Sequence, residues 1–87
     1  MKKLVEIQEV EGEGLISLLG EQVILMCANY FYAGKLVGVN TDCVLLENGG
    51  IVYETGNFKD AFWKDFQQMS DKLYVRVASI ESFAKGK

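Results

Sequence analysis

The stretch Tyr30–Glu54, YFYAGKLVGVNTDCVLLENGGIVYE, decides how this chain folds. Tyr30 to Asn40 is rich in apolar residues, Thr41-Asp42 interrupts, and an apolar-rich stretch resumes from Cys43 to Glu54. That is the pattern of two strands joined by a tight turn. Gly34 falls in the middle of the first strand, where a residue without Cβ lets the backbone bend sharply. Asn48-Gly49-Gly50 has two readings. Asn-Gly between apolar runs is a strong hairpin signal, and it equally suits a bulge or bend within one long strand. A bend, a tight turn and a further long strand predict a small, strongly curved antiparallel sheet.

Upstream, Gln22–Ala28 reads as a strand that is apolar on both faces, with Val23, Leu25 and Cys27 on one and Ile24 and Met26 on the other. Such a strand is covered on both sides, in a closed barrel or at a subunit contact. Leu15–Leu19 reads as one or two helical turns, ended by Gly20. Residues 1–11 alternate charged and apolar side chains without a strong period, as an added edge strand or a loose arm.

Downstream, Phe58, Phe62, Phe66 and Met69 recur at helical spacing across Asn57–Ser70, which predicts an amphipathic helix of about three turns. Leu73–Phe83 returns to strand character through Tyr74, Val75, Val77, Ile80 and Phe83, and a short basic tail follows.

A chain of 87 residues is expected to form a single domain, 1–87, with 57–70 as a helical insertion. Domains of this size bury somewhat over 60% of their unfolded surface, so oligomerisation would supplement a thin margin of stability. With 12 acidic and 9 basic side chains, the chain lacks the general attraction to phosphate that basic nucleic-acid binders use. Only a locally basic patch could supply it.

Two cysteines and no histidine argue against a zinc site, and no cofactor is implied. Cys27 and Cys43 lie in apolar runs and read as reduced, buried thiols. No signal peptide is evident, and no run approaches the ~20 apolar residues of a membrane span. A cytoplasmic protein without membrane association is the expectation. The chain also lacks a glycine-rich phosphate loop and a nucleophile with a visible base, so it is not expected to be an enzyme.

The segment Tyr32-Ala33-Gly34-Lys35-Leu36-Val37-Gly38-Val39 resembles the first motif of the Sm/Lsm family, aromatic-x-Gly-x-Leu-x-x-Val. Leu15–Val23 resembles that family's N-terminal helix leading into its first strand. Leu45-Leu46-Glu47-Asn48 is similar to the acidic end of the first motif. Val75–Ile80, VRVASI, keeps the length of the second motif, Ile-Arg-Gly-x-x-Ile. The matched parts cover about two-thirds of the chain, in the manner of a divergent bacterial or phage-type member.

The resemblance implies a mostly β fold: a five-stranded, strongly bent antiparallel barrel with a short N-terminal helix and a helix inserted before the last two strands. It favours the bend at Asn48-Gly49. It implies a homo-oligomeric ring of roughly five to seven subunits, the fourth strand of one pairing with the fifth of the next.

The family's nucleotide pocket stacks a base on an aromatic residue and reads it with Asn and Arg. Arg76 matches. Asn40 stands where the motif has Asp, Cys43 about where it has Asn, no aromatic follows the turn, and Val77 replaces Gly. The resemblance therefore implies single-stranded RNA binding through Asn40, Thr41, Asp42 and Arg76. The degraded motif and acidic balance point to the alternative, an interaction or assembly module, viral or phage-related, that kept the ring without the pocket.

Each candidate has a plain structural reading beside it. Arg76 could pair with Asp42 or Glu47, and Asn40-Thr41-Asp42 is also ordinary turn chemistry. Tyr30, Phe31 and Tyr32 could stack on bases or pack. The residues expected at a subunit interface are Tyr74, Val75, Val77, Ile80, Phe83 and a partly exposed Trp63.

Overall fold

The computed structural model describes residues 14–87, so the expected arm or edge strand at 1–11 lies outside the described residues. Five strands form one antiparallel sheet: β1 (Gln22–Cys27), β2 (Phe31–Val39), β3 (Cys43–Glu54), β4 (Asp65–Arg76) and β5 (Ile80–Lys85). Their order across the sheet is β4-β3-β2-β1-β5. The first four strands make a meander, and β5 returns to pair with β1 through Val23↔Lys85, Ile24↔Ala84 and Leu25↔Phe83. Among the described residues no helix is long and apolar enough to cross a membrane.

The central pair follows the sequence closely. β3 runs unbroken through Asn48-Gly49-Gly50, so this segment is a bend and not a hairpin turn. Ala33 pairs with Gly50 and Lys35 with Glu47, which leaves Asn48 and Gly49 together opposite Gly34. Two residues facing one is a β-bulge, and a bulge bends the strand and increases its twist. Asn48 takes a left-handed backbone, φ 53°, which Asn tolerates better than most residues.

Glycine is required here by space. A Cβ on Gly34 would lie 3.0 Å from the Gly49 Cα, one on Gly49 would lie 2.7 Å from the Leu73 Cβ, and one on Gly50 would collide with the Gln67 carbonyl. β2, β3 and β4 therefore meet along a glycine seam at the bend, where there is little or no room for a Cβ.

The main core lies on one face, where Val23, Leu25, Cys27, Leu36, Val44, Leu46 and Val75 cluster, with Leu15, Leu18, Leu73, Val77 and Ile80 packed at its margin. Ile24, on the other face of β1, is also fully buried. The two-faced apolar pattern of β1 thus corresponds to cover on both sides.

Three expectations are corrected. The sheet is not a closed barrel: β4 and β5 lie at opposite ends of the strand order and do not pair with each other. The N-terminal helix is a single 3-10 turn, Leu15–Leu18, and Gly20 follows it with φ 88°. Gly20 then donates its N–H to the Leu36 carbonyl at 2.7 Å, so the segment leaves helical geometry to join the sheet.

The third correction concerns Asn57–Ser70, which is not a helix. Residues 55–64 form a loop, and β4 already begins at Asp65. The physical reason is the ladder: Glu54↔Asp65, Val52↔Phe66, Ile51↔Gln67 and onward to Cys43↔Arg76 make a long hairpin. A helical stripe stabilises only when its apolar face is buried, and Phe58 and Phe62 are exposed. Backbone pairing along β3 therefore prevails over local periodicity. The last stretch, Leu73–Phe83, is divided by a second 3-10 turn, Val77–Ser79.

Candidate functional site

The Asn40–Asp42 turn joins β2 to β3 and is fastened by its own side chain. Asn40 Oδ1 accepts from the backbone N–H of Asp42 at 2.7 Å and of Cys43 at 2.8 Å. The Asn40 N–H donates to the Cys43 carbonyl at 3.0 Å. This is an Asx-type turn, the reason Asn is favoured there. It also occupies the amide oxygen with which Asn40 would read a base edge.

Arg76 ends β4 directly across from Cys43, and the next residue, Val77, donates its N–H to the Asp42 carbonyl at 2.9 Å. The fold thus brings Asn40, Thr41, Asp42 and Arg76 to one end of the sheet. Arg76 is exposed. Among the described residues the ion pairs are Lys64–Glu54 at 3.4 Å and Lys85–Glu21 at 3.7 Å. Neither involves Arg76, so the alternative pairing with Asp42 or Glu47 is not formed.

The aromatic residues weighed as stacking platforms lie elsewhere. Phe31 opens β2 while Val39 closes it, so Tyr30, Phe31 and Tyr32 stand at the opposite end of that strand from Arg76. Tyr30 and Tyr32 pack edge-to-face, 6.2 Å between centroids. Burial, then Cys27 and Tyr30, push the Tyr32 hydroxyl above its ordinary pKa. Burial, then the Glu81 carboxylate, does the same to the Cys27 thiol. Both cysteines are free.

The residues expected at an interface divide into two groups. Val75 is buried in the core, with Val77 and Ile80 packed at its margin, so these side chains are engaged within their own chain. Tyr74 on β4 and Phe83 on β5 are exposed, at 63% and 39%. The backbone directions matter more. In an antiparallel ladder, bonded and non-bonded pairs alternate. The Val77 N–H bonds back to Asp42 and the Gly86 N–H to Gln22, at 2.8 Å. Stepping along each ladder from these bonds turns the N–H groups of Lys72, Tyr74 and Arg76 outward on β4, and those of Phe83 and Lys85 outward on β5. Among the described residues these outer sides carry no strand partner.

Trp63 sits at a different place, in the loop before β4. Its ring meets Phe58 edge-to-face at 5.7 Å, and the Lys87 Nζ lies 4.5 Å from its centroid. The sequence singled out Trp63 by its departure from the helical stripe; nothing in the local pattern pointed to Lys87, which is 24 residues further on.

Among the described residues, a curved, open five-stranded antiparallel sheet without a strand partner on its outer edges defines the class of architecture. Comparison with protein-family models, with curated proteins and with solved structures finds no match to this chain.

Proposed function

We propose that this protein is an Sm-like, ring-forming assembly module in which the outer edge of β4 in one copy pairs with the outer edge of β5 in the next. One observation carries the reading: among the described residues, a single curved sheet has no strand partner on either outer edge. Each edge turns a row of N–H groups outward. Free edges are a liability unless something covers them, and repeated head-to-tail pairing makes a ring where the rotation per copy closes and an open filament where it does not. Exposed Tyr74 and Phe83 flank the two edges and would become interface contacts. Hydrogen exchange tests the pairing amide by amide. Tyr74, Arg76, Phe83 and Lys85 are expected to be protected at high protein concentration and to exchange freely on dilution, while the Lys72 N–H, which donates to Ser70 Oγ at 3.2 Å, is not diagnostic. Free exchange at all concentrations would sink the assembly reading.

A second reading, single-stranded RNA binding, is supported by the exposed Arg76 standing beside the Asn40–Asp42 turn. Arginine can pair with phosphate or lie over a base, and ring closure would repeat this group around a pore. The assembly reading is preferred because Asn40 Oδ1 is already engaged in its own turn and the chain is acidic. Titration with labelled oligo-U and oligo-A at two salt concentrations separates the two readings. Saturable binding at low salt that Arg76→Ala abolishes would establish the RNA reading; its absence leaves assembly alone.

A further inference from the structure

We propose that the loop from Thr55 to Trp63 is a receptor for a primary alkylammonium group, filled in this chain by Lys87. The Lys87 Nζ donates to the carbonyls of Thr55 at 3.1 Å, Asn57 at 2.7 Å and Phe62 at 3.2 Å. An ammonium has three donors and no acceptor, so three carbonyls satisfy it completely. Its charge also faces two aromatic rings, Trp63 at 4.5 Å and Phe58 at 5.8 Å, within the range where a ring face attracts a cation. A guanidinium would not fit three converging carbonyls in this way, and a quaternary ammonium would leave all three unbonded.

The loop also has bonds of its own that do not involve Lys87. Asn57 Oδ1 accepts from the Lys59 N–H at 2.9 Å, and the Asn57 carbonyl accepts from the Asp60 N–H at 3.0 Å. The Lys64 N–H reaches the Thr55 carbonyl at 3.4 Å, closing the loop. Gly56 turns with φ 66°, and Phe58 braces Trp63 edge-to-face. A carbonyl oxygen has two lone pairs, so Thr55 and Asn57 serve both the loop and the cation. The cage opens beside a cleft of about 350 Å³ that Gly34, Asn48 and Phe66 also line, which leaves a path for an alkyl chain.

The occupant comes from the far side of the sheet. Lys87 follows β5, while the loop precedes β4, the opposite edge. The ammonium is therefore a latch across the curled sheet where no strand pairing closes it. Acylation of Lys87 would remove the charge and leave a single N–H donor, emptying the cage.

Trp63 is the chain's one tryptophan, so its emission reports on this site alone. The test titrates the Lys87→Ala protein with n-butylammonium chloride, and separately with 1-butanol at matched ionic strength. The expected result is a saturable change in Trp63 emission with the ammonium, about tenfold weaker with the alcohol, which lacks the charge. Wild type, with its cage filled, should show no saturable change. Equal responses to amine and alcohol, or no saturation in Lys87→Ala, would overturn the proposal. Should Lys87→Ala fail to fold, the ¹⁵N-resolved ammonium signal of Lys87 in the wild-type protein decides. It is expected to be slow in exchange and shifted by the Trp63 ring, and a free, fast-exchanging signal contradicts the site.

Discussion

Gly50 is the residue at which the fold tolerates least, because its missing Cβ is the room that the Gln67 carbonyl occupies. Backbone cannot move aside as a flexible side chain can. Gly50→Ala is therefore expected to cost about 2–4 kcal/mol in urea unfolding, in the range of severe overpacking. Gly38→Ala is the contrast. A Cβ there meets only the Leu45 Cβ at 3.4 Å, and its cost should stay near the ~1 kcal/mol of an ordinary strand substitution.

Cys27 and Tyr32 give a pH prediction at the same scale. Both groups hold their protons more tightly when folded than when unfolded. Their stabilising effect is complete below the unfolded pKa values and is lost as pH rises through the higher folded ones. Resistance to urea should accordingly be flat between pH 7 and 8 on account of these groups. It should fall from the ordinary thiol range upward, and Cys27→Ala should lessen that fall. Iodoacetamide at neutral pH should label Cys43, which is half-exposed, well before buried Cys27.

Elements were legible in the sequence where their residues carried a face. β1, β2 and β3 could be read because Val23, Leu25, Leu36, Val44 and Leu46 alternate against one core. Gly34 marked a bend by backbone chemistry that few other residues supply, whereas Asn48-Gly49 alone suited a hairpin or a bend and only the family resemblance favoured the bend. The first half of β4 could not be read: Asp65 to Lys72 are exposed, so no alternation records the strand. Its register comes from pairing with β3, a non-local interaction, while Phe58, Phe62 and Phe66 mimic a helical stripe.

Exposure supplies the check. Phe62 is 83% exposed, so Phe62→Ser should change stability by no more than about 0.5 kcal/mol, where a packed helix face would lose several. Leu46→Ala, in the core, should cost about 2–5 kcal/mol. The candidate site was legible in the same uneven way. The Asn40–Asp42 turn was legible as turn chemistry, but its pairing with Arg76 as a site came from the family resemblance, and the fold does bring the four residues to one end of the sheet. The Lys87 cage was not, because its carbonyls carry no sequence signature.

The β5 edge offers a sharper element-scale test. The Phe83 N–H turns away from β1, so Phe83→Pro removes an outward donor without breaking a β1–β5 bond. Phe83→Ala removes only the side chain. The proline variant is expected to lower the assembly state at least tenfold more than the alanine variant, read from the midpoint of dissociation on dilution. Equal midpoints would mean that the edge backbone takes no part.

At the scale of the whole molecule, the sheet is curved but unclosed, and among the described residues the Lys87 ammonium, instead of a strand pair, links its two ends. Among the described residues this single sheet has one main buried face and two outer edges without a strand partner, and the proposed assembly would cover those edges and supplement the thin margin of a small domain. The most direct measurement is the absolute mass in solution by multi-angle light scattering across the micromolar range. The account predicts one discrete species well above the monomer mass, at roughly five to seven times that mass if the proposed Sm-like ring has the size the resemblance implies. A monomer throughout that range would contradict it.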